Sequence, residues 1–364
     1  MMVRVGLIGV GRWGPNLLRN LLALDAADVR MVADLDPRRL RELQPHLGPA
    51  VSTTDYRRIL ASSDVDAVVI ATPPSTHAPL AREALEARKH VLVEKPLATS
   101  VTDAAELIAL AKHHGRILMV GHTSLYAPAV RRLKAYLCGG DLGDVRYLYT
   151  RRLNLGRVRP DINALWEIGP HEISIVLYLL DELPTEVSAQ AFDYVQPGVA
   201  DVVFMTLVFR GRVAAHLHLS WLDPQKERRV VVVGSRKMAV YDDTTADAKL
   251  LIYDRGIEPA SSASHAQTSN GELGMPTVRS GGVEAPQLDA SEPLRVECAH
   301  FIECIQHGRA PLTGGEQALA VIRVLDAAQR SIISGGITQA LYGETPLTAG
   351  ILPNLTLRQV RLPQ

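Results

Sequence analysis

The chain has 364 residues, of which 47% are hydrophobic and 21% charged, so its length favours two globular domains and its composition excludes a disordered chain. Lys plus Arg and Asp plus Glu both number 39, so the formal net charge is zero and no overall field attracts nucleic acid or an anionic membrane. Three cysteines without a C-x-x-C pair (Cys138, Cys298 and Cys304) fit neither a disulfide framework nor a structural zinc site.

Residues 1–122 alternate short apolar runs with amphipathic stretches, a pattern typical of repeated βα units on a doubly wound parallel sheet. We therefore predict an N-terminal α/β Rossmann domain over residues 1–122. The predicted strands are Val3–Gly9, Val29–Asp34, Asp66–Ala71, His90–Glu94 and Ile117–Gly121. The predicted helices are Pro15–Leu24, Pro37–Leu43, Tyr56–Ser62, Thr76–Arg88 and Val101–His114.

From residue 123 to 364, strand candidates follow one another with few helices between them. This predicts a C-terminal α+β domain with a large, mostly antiparallel open sheet, turning at Gly211 and Gly234, for substrate binding and oligomerisation. The strands are Val145–Leu153, Glu186–Tyr194, Asp201–Phe209, Arg212–Ser220, Arg228–Val233 and Lys237–Tyr241. The helices Pro128–Leu137, Pro170–Leu180, Pro293–His307 and Gly315–Ser334 would cover one face, and residues 259–290 read as a long mobile loop or flap.

No targeting or membrane segment is evident. The N-terminus runs directly into a strand-like segment, and no apolar run approaches the ~18 residues of a membrane span. We expect a cytoplasmic protein.

The first turn carries a dinucleotide-binding motif. Gly9, Gly11 and Gly14 form G-x-G-x-x-G after an apolar strand, which allows a tight turn and close approach of a pyrophosphate to a helix N-terminus. We place Arg12 and Trp13, between these glycines, among the cofactor contacts. Asp34 ends the next strand and would accept hydrogen bonds from ribose hydroxyls. It favours NAD, although the following residues Arg38 and Arg39 leave NADP possible.

Two later strand ends should border the nicotinamide, because ligands of open α/β sheets bind beyond the carboxyl ends of strands. One carries Ala71–His77, from which we select Thr72, Pro73 and His77 as cofactor contacts. The other carries Glu94 and Lys95, which we also place among the cofactor contacts, and Lys95 is the first candidate for a catalytic cation.

The glycine motif, the A-T-P-P-S-T-H run and above all Glu94-Lys95-Pro96 resemble the Gfo/Idh/MocA oxidoreductase family, and the resemblance covers nearly the whole chain. It implies that Lys95 lies beside both nicotinamide and substrate hydroxyl. It also implies a cis peptide before Pro96. A second motif at the start of a helix, Glu167-x-Gly169-x-His171, matches the family's acid/base histidine at His171. The family often has Asp where this chain has Glu167 and Ser174.

The segment Arg151–Trp166 carries four arginines and two asparagines. Guanidinium groups bind phosphate oxygens bidentately, and the segment resembles family members acting on nucleotide sugars, including UDP-N-acetylhexosamine 3-dehydrogenases. The alternative is that these arginines serve an oligomer interface. The predicted substrate-binding residues are Tyr126, Arg152, Asn154, Arg157, Asn163, Glu167 and His171.

The sequence thus predicts an NAD(P)-dependent dehydrogenase or reductase that acts on a secondary alcohol or ketone of a sugar, and the arginines of Arg151–Trp166 favour a nucleotide-linked sugar. Lys95 and His171 would be catalytic, no metal is expected, and the assembly would be a homodimer or homotetramer without nucleic acid or membrane. The alternatives are a dehydrogenase of free inositol or hexose, an NAD-dependent glycosidase or epimerase with internal redox, and a cofactor-sensing regulator without turnover.

Overall fold

The computed structural model describes residues 2–156, 158–258 and 276–341. These residues form two compact units. The first comprises residues up to 127 together with 291–326, and the second comprises 128–290 together with 327–341. The division differs from the predicted boundary at residue 122, since a segment near the C-terminus belongs with the first unit.

Strands and helices are numbered in chain order over the described residues. The strands are β1 Val3–Ile8, β2 Ala27–Ala33, β3 Val51–Thr53, β4 Ala67–Ile70, β5 His90–Glu94, β6 Leu118–Gly121, β7 Val145–Leu155, β8 Glu186–Phe192, β9 Val202–Val208, β10 Ala214–Ser220, β11 Leu222–Gly234, β12 Met238–Asp242, β13 Leu250–Tyr253, β14 Gly256–Glu258, β15 Thr277–Arg279, β16 Val283–Glu284 and β17 Gln339–Ala340. The helices are α1 Gly14–Leu22, α2 Pro37–Leu43, α3 Arg57–Ala61, α4 His77–Glu86, α5 Val101–His113, α6 Pro128–Cys138, α7 Ala164–Leu180, α8 Pro293–His307 and α9 Gly315–Ile333.

The first unit is built on a parallel sheet in the order β3-β2-β1-β4-β5-β6. All four residues of β4 are fully buried, as expected of a parallel strand covered on both faces. This confirms the predicted doubly wound Rossmann sheet. The short strand β3 was not predicted, because three residues carry too little periodic signal.

Helix α8 completes the core of the first unit. Cys298 and Phe301 of α8 are buried in the same hydrophobic cluster as Leu17 and Leu21 of α1. At the start of α8, Glu292 forms an ion pair with Arg19. The prediction that α8 covers the sheet of the second domain is therefore wrong, because its apolar face packs on the N-terminal helix.

The second unit contains a nine-stranded sheet in the order β16-β13-β12-β11-β7-β10-β9-β8-β17. Its strand pairs are antiparallel except β7 with β10, which confirms the predicted mostly antiparallel sheet. Strand β9 alternates between buried Val203, Met205 and Leu207 and the partly exposed Phe204. Helix α7 packs against β7, β9 and β10, so one face of the sheet is covered by the helix.

Two predicted boundaries are corrected. Helix α7 begins at Ala164 and runs through Pro170, rather than starting there, because Asn163 caps it: the Asn163 side chain accepts the N–H of Trp166 at 3.1 Å. Within the predicted loop 259–290, strands β15 and β16 pair with β14 and β13. The part of that prediction covering residues 259–275 lies outside the described residues.

Candidate functional site

The glycine-rich turn of the first unit requires its glycines. Gly9 has φ of +94°, and a Cβ there would lie 2.6 Å from the carbonyl oxygen of Ala71. A Cβ on Gly14 would collide with the carbonyl oxygen of Gly9. Between β1 and α1 the chain therefore has no room for a side chain at Gly9 or Gly14. The turn packs directly against the end of β4.

The surroundings of Gly11 leave room for the close approach of a phosphate group. A Cβ on Gly11 would meet only the end of the Arg39 side chain, at 3.4 Å from Nη1. Helix α1 begins three residues later, and no side chain caps its N-terminus. A pyrophosphate approaching Gly11 would meet backbone N–H groups and the positive end of the helix dipole. Arg12 and Trp13 are exposed on this turn, where they remain predicted contacts.

Asp34 is fixed at the end of β2. Its Oδ2 accepts the N–H of Val10 at 2.8 Å, and its Oδ1 accepts the N–H of Asp36 at 2.8 Å. Each carboxylate oxygen can accept a second hydrogen bond, so capacity remains for ribose hydroxyls. The Arg39 Nη1 lies 3.6 Å from Asp34 Oδ2, which puts a half-exposed guanidinium beside this carboxylate.

His77 joins the two strand ends that were predicted to border the nicotinamide. It is buried, with Nδ1 2.7 Å from the carbonyl oxygen of Pro96 and Nε2 2.8 Å from that of Thr72. Burial lowers the pKa of His77. The Thr72 hydroxyl accepts a hydrogen bond from Thr76 at 2.7 Å, and Pro73 is exposed. The buried His77 ring thus contacts the main chain at both strand ends, at Thr72 and at Pro96.

The Glu94-Lys95-Pro96 segment forms the end of β5. The peptide between Lys95 and Pro96 is cis, as predicted. The Lys95 N–H donates to Glu94 Oε2 at 3.3 Å. The Glu94 carboxyl lies against the backbone of Gly121 on the adjacent strand β6, where an added Cβ would be 3.1 Å from it.

Buried polar residues that the sequence did not single out lie behind this segment. The His122 Nδ1–H donates to Gln317 Oε1 at 2.6 Å, and both side chains are buried. Burial and the charge of Lys95 lower the pKa of His122 to about 4. Tyr126, a predicted substrate contact, is also buried, and its hydroxyl lies 3.2 Å from that of Thr313.

In the second unit, the predicted substrate residues follow one side of α7. Asn163, Glu167 and His171 are spaced four residues apart, which places them on one face of the helix, and all three are partly exposed. Ser174 donates to the carbonyl oxygen of His171 at 2.8 Å, so it serves the helix backbone. Asn163 also donates to Gln329 at 3.2 Å, and its predicted substrate contact is additional to this capping role.

The arginines of residues 151–166 have carboxylate partners. Arg152 donates from Nε to the buried Glu172 at 2.6 Å, and Arg151 lies 3.5 Å from Glu227. Arg159 pairs with Asp161 at 2.5 Å and with Glu167 at 3.5 Å.

Two further predicted substrate contacts lie in this segment. The side chain of Asn154 lies over Gly156. Arg157 lies outside the described residues.

Other classes of site were searched over the described residues. No group of three or more His, Cys, Asp or Glu side chains there could hold a metal ion. All three cysteines are free thiols. No described helix combines the length and apolarity of a membrane span.

Two family models match the chain. One is described as an oxidoreductase family with an NAD-binding Rossmann fold and matches residues 3–122, and the other, the GFO/IDH/MocA C-terminal domain, matches residues 130–240. An oxidoreductase structure from Magnetospirillum magnetotacticum is similar with a TM-score of 0.76 and 31% identity, covering 90% of this chain and 100% of that one.

Two named dehydrogenases are also similar. UDP-N-acetylglucosamine 3-dehydrogenase from Acidithiobacillus ferrooxidans is 29% identical over 90% of this chain and 95% of its own. Its solved structure gives a TM-score of 0.77 at 27% identity, covering 92% of this chain and 98% of that one. Inositol 2-dehydrogenase 2 from Paenarthrobacter aurescens is 36% identical over 57% of this chain and 65% of its own.

Proposed function

Since this chain belongs to the Gfo/Idh/MocA family of NAD-binding oxidoreductases, we propose that it interconverts a secondary alcohol and a ketone on a nucleotide-linked sugar. NAD, when bound, supplies the redox chemistry by exchanging a hydrogen and its electron pair with the substrate carbon. The residues of the chain bind both molecules, orient them and move the hydroxyl proton.

Lys95 and His171 have the proposed catalytic roles. The ammonium group of Lys95 stabilises negative charge as it develops on the substrate oxygen. The imidazole of His171 accepts the hydroxyl proton during oxidation and returns it during reduction, a general acid/base role that histidine commonly has in enzymes. The partly exposed position of His171, one helical turn after Glu167, supports this role.

One observation carries the choice of a nucleotide sugar: Arg159 lies within 3.5 Å of Glu167, on the α7 face that also bears His171. The Arg159 side chain is 26% exposed, and its ion pairs are exchangeable because partly solvated pairs are weak. A diphosphate can therefore replace Asp161 at the guanidinium, while Glu167 accepts a sugar hydroxyl. The similarity to a UDP-N-acetylglucosamine 3-dehydrogenase over 90% of this chain supports the same choice.

A free polyol is the second candidate. Arg152 is engaged by a buried carboxylate and Arg151 by Glu227, which leaves fewer guanidinium groups for phosphate than the sequence suggests. The 36% identity to an inositol dehydrogenase points the same way.

The deciding experiment is a turnover assay of the purified chain with NAD and, separately, NADP. Substrates are UDP-, dTDP- and GDP-sugars beside free inositols and hexoses. We expect turnover on nucleotide sugars, with Arg159→Ala raising KM for these substrates and not for any free sugar. Turnover on free polyols alone overturns the nucleotide-sugar proposal. NADH released into solution separates net dehydrogenation from epimerisation or glycoside cleavage with internal redox.

We also propose that the chain forms a homodimer or homotetramer through the outer face of the second-unit sheet. Phe204 on this face stacks on His218 with ring centroids 4.5 Å apart, and Phe192 stacks on the exposed Tyr194 at 6.1 Å. An exposed aromatic cluster of this kind is typical of a protein interface. Light scattering on wild type and Phe204→Glu tests this; an assembly unchanged by the substitution contradicts it.

A further inference from the structure

A buried ion pair joins strand β7 to the helix that carries His171. The Arg152 Nε–H donates to Glu172 Oε1 at 2.6 Å, and the two side chains are 14% and 2% exposed. Glu172 follows His171 directly on α7, and α7 packs against β7. One turn of the helix therefore bears both the proposed proton acceptor and the carboxylate that holds Arg152.

The bond to Glu172 engages only part of the Arg152 guanidinium group. Nε is occupied, whereas Nη1 and Nη2 donate to no atom of the residues that the structure describes. Neither Nη atom is among the buried polar atoms without a partner, so solvent reaches both of them. Arg152 thus keeps N–H donors for a ligand after its bond to Glu172 is made.

The pair of Arg152 with Glu172 is harder to exchange than the pair of Arg159 with Asp161. Glu172 Oε2 is buried and has no partner among the described residues, so Arg152 alone compensates the Glu172 charge there. Separating the pair would leave a buried carboxylate without compensation, which is strongly unfavourable. Asp161 is 54% exposed, so water hydrates it once it is displaced. A phosphate can therefore replace Asp161 at Arg159, but not Glu172 at Arg152.

The charge of the Arg152 pair suits an uncharged ligand group. One positive and one negative group lie 2.6 Å apart, so the pair is neutral overall and does not attract a diphosphate as an uncompensated guanidinium would. Its Nη–H groups are nevertheless strong donors, because hydrogen bonds from a charged group exceed neutral ones in strength. The hydroxyl and amide carbonyl oxygens of a sugar accept such bonds.

We propose that Arg152 binds an uncharged oxygen of the sugar, a hydroxyl or an amide carbonyl, and that Glu172 is the positioning residue that holds its guanidinium group. Arg159 then contacts the diphosphate and Arg152 the sugar. This inference rests on the proposed sugar oxidoreductase function. It does not depend on the nucleotide, because a free polyol offers the same hydroxyl oxygens.

Calorimetric titration without added NAD separates sugar contacts from diphosphate contacts. Arg152→Ala should leave the affinity for UDP unchanged and weaken UDP-N-acetylglucosamine binding by about tenfold to a hundredfold, the loss of a hydrogen bond from a charged donor. Arg159→Ala should weaken the binding of both ligands. UDP-glucose has a hydroxyl in place of the acetamido group, so its weakened binding to Arg152→Ala assigns the contact to a hydroxyl, and unchanged binding assigns it to the carbonyl.

Two substitutions of Glu172 test the positioning role. In Glu172→Gln the amide oxygen still accepts the Arg152 Nε–H, while the loss of the negative charge leaves the guanidinium uncompensated. This variant should keep its affinity for UDP-N-acetylglucosamine and bind UDP more tightly than wild type. Glu172→Ala removes the acceptor and should weaken UDP-N-acetylglucosamine binding as Arg152→Ala does. Equal losses in the two Glu172 variants contradict the positioning role.

Arg228→Ala is the matched control. Arg228 of β11 is in register with Arg152 and pairs with Asp243 at 3.3 Å, so it lies on the same face of the sheet. Its removal should leave both affinities unchanged. A loss equal to that in Arg152→Ala would trace the effect to the net charge of the face and overturn the proposal. Weakened UDP binding in Arg152→Ala, or unchanged binding of every sugar ligand, overturns it as well.

The same variants distinguish this inference from the proposed function. If wild type binds no UDP but oxidises a free polyol, the nucleotide choice fails, and Arg152→Ala should lower kcat/KM on the polyol by the same factor. Binding without turnover ends the proposed catalysis, while the titrations still decide the role of Arg152. A wild type that neither binds UDP nor turns over any sugar contradicts both proposals. If Glu172→Ala does not fold, Glu172→Gln and Arg152→Ala decide.

Discussion

The Nδ1 atom of His77 lies 2.7 Å from the carbonyl oxygen of Pro96. Because the other ring nitrogen faces Thr72, one buried side chain links the end of β4 to the turn that follows Lys95. Burial lowers the pKa of His77, so the ring is neutral near pH 7 and donates to one carbonyl at a time. His77 thereby links the two strand ends that border the expected nicotinamide position.

His77→Ala should lower the free energy of unfolding by about 1–3 kcal/mol, because it leaves a buried carbonyl group without its donor. It should also weaken NAD binding, because the two strand ends lose their connection. Thermal unfolding and calorimetric titration with NAD measure the two effects. His46→Ala is the control, since His46 is exposed; equal losses in both variants would contradict the linking role.

Gly11→Ala and Gly14→Ala should separate cofactor binding from folding. The Cβ of the Gly14 variant collides with the Gly9 carbonyl, so we expect destabilisation of about 1–3 kcal/mol or more. The Cβ of the Gly11 variant meets only the mobile end of Arg39, so the protein should keep its stability and lose NAD affinity through contact with the pyrophosphate. Thermal melts with and without NAD distinguish them. A Gly11→Ala protein that binds NAD normally would place the pyrophosphate elsewhere.

Arg39 should set the tolerance for NADP. Wild type should prefer NAD, because the Asp34 carboxylate repels a 2′-phosphate, while the adjacent Arg39 offsets part of that repulsion. Arg39→Ala should weaken NADP binding by about tenfold, a typical loss for one charged hydrogen bond, and NAD binding much less. Parallel titrations measure this ratio, and Arg41→Ala on the exposed side of the same helix serves as control. An unchanged ratio contradicts the assignment.

Stability should fall in mild acid. Burial lowers the pKa of His90 and of His122 to about 4, against ~6.5 in the unfolded chain. Between these values the unfolded state binds more protons, so stability is complete above about pH 6.5 and is lost as the pH falls through 4. For the fully buried His122 the loss is on the order of 3 kcal/mol. In His122→Gln, the free energy of unfolding measured with denaturant should depend less on pH between these two pKa values. An unchanged pH dependence would assign the acid sensitivity to other groups.

Lys95→Ala and His171→Ala should each lower kcat by about a hundredfold or more, the usual contribution of a general acid or base or an electrostatic stabiliser. NAD affinity should change little in His171→Ala. Steady-state kinetics on the best substrate of the panel measure both. Lys112→Ala and His113→Ala, at the end of α5, are matched surface controls. Wild-type turnover in either active-site variant removes that residue from the mechanism.

The sequence predicts the fold around the glycine-rich turn well because its signals are local. Gly9, Gly11 and Gly14 stand at the junction of a strand and a helix, and Asp34 ends the next strand. In each case a backbone requirement or a strand end restricts the residue type within a few positions. The cis peptide before Pro96 is a different case, because it was implied by the resemblance to the Gfo/Idh/MocA family.

The buried polar partners could not be predicted in this way. Gln317 lies far along the chain from its partner His122, and it reads as an ordinary polar residue of an amphipathic helix. The predicted start of α7 at Pro170 is wrong for a different reason. A proline usually marks a helix start, whereas α7 begins two turns earlier, after the N-cap residue Asn163. Tertiary packing decides the first case, and a local cap decides the second.

The contribution of residues 291–326 to the first unit has a consequence for biosynthesis. As the N-terminal segment leaves the ribosome, it lacks Glu292 for Arg19, Gln317 for His122 and Thr313 for Tyr126. Part of the apolar surface of the nascent Rossmann sheet therefore stays uncovered while residues 128–290 of the second unit are translated. Chaperone dependence and aggregation on truncation should concentrate in this interval, and a circular permutant that begins near residue 291 would shorten it.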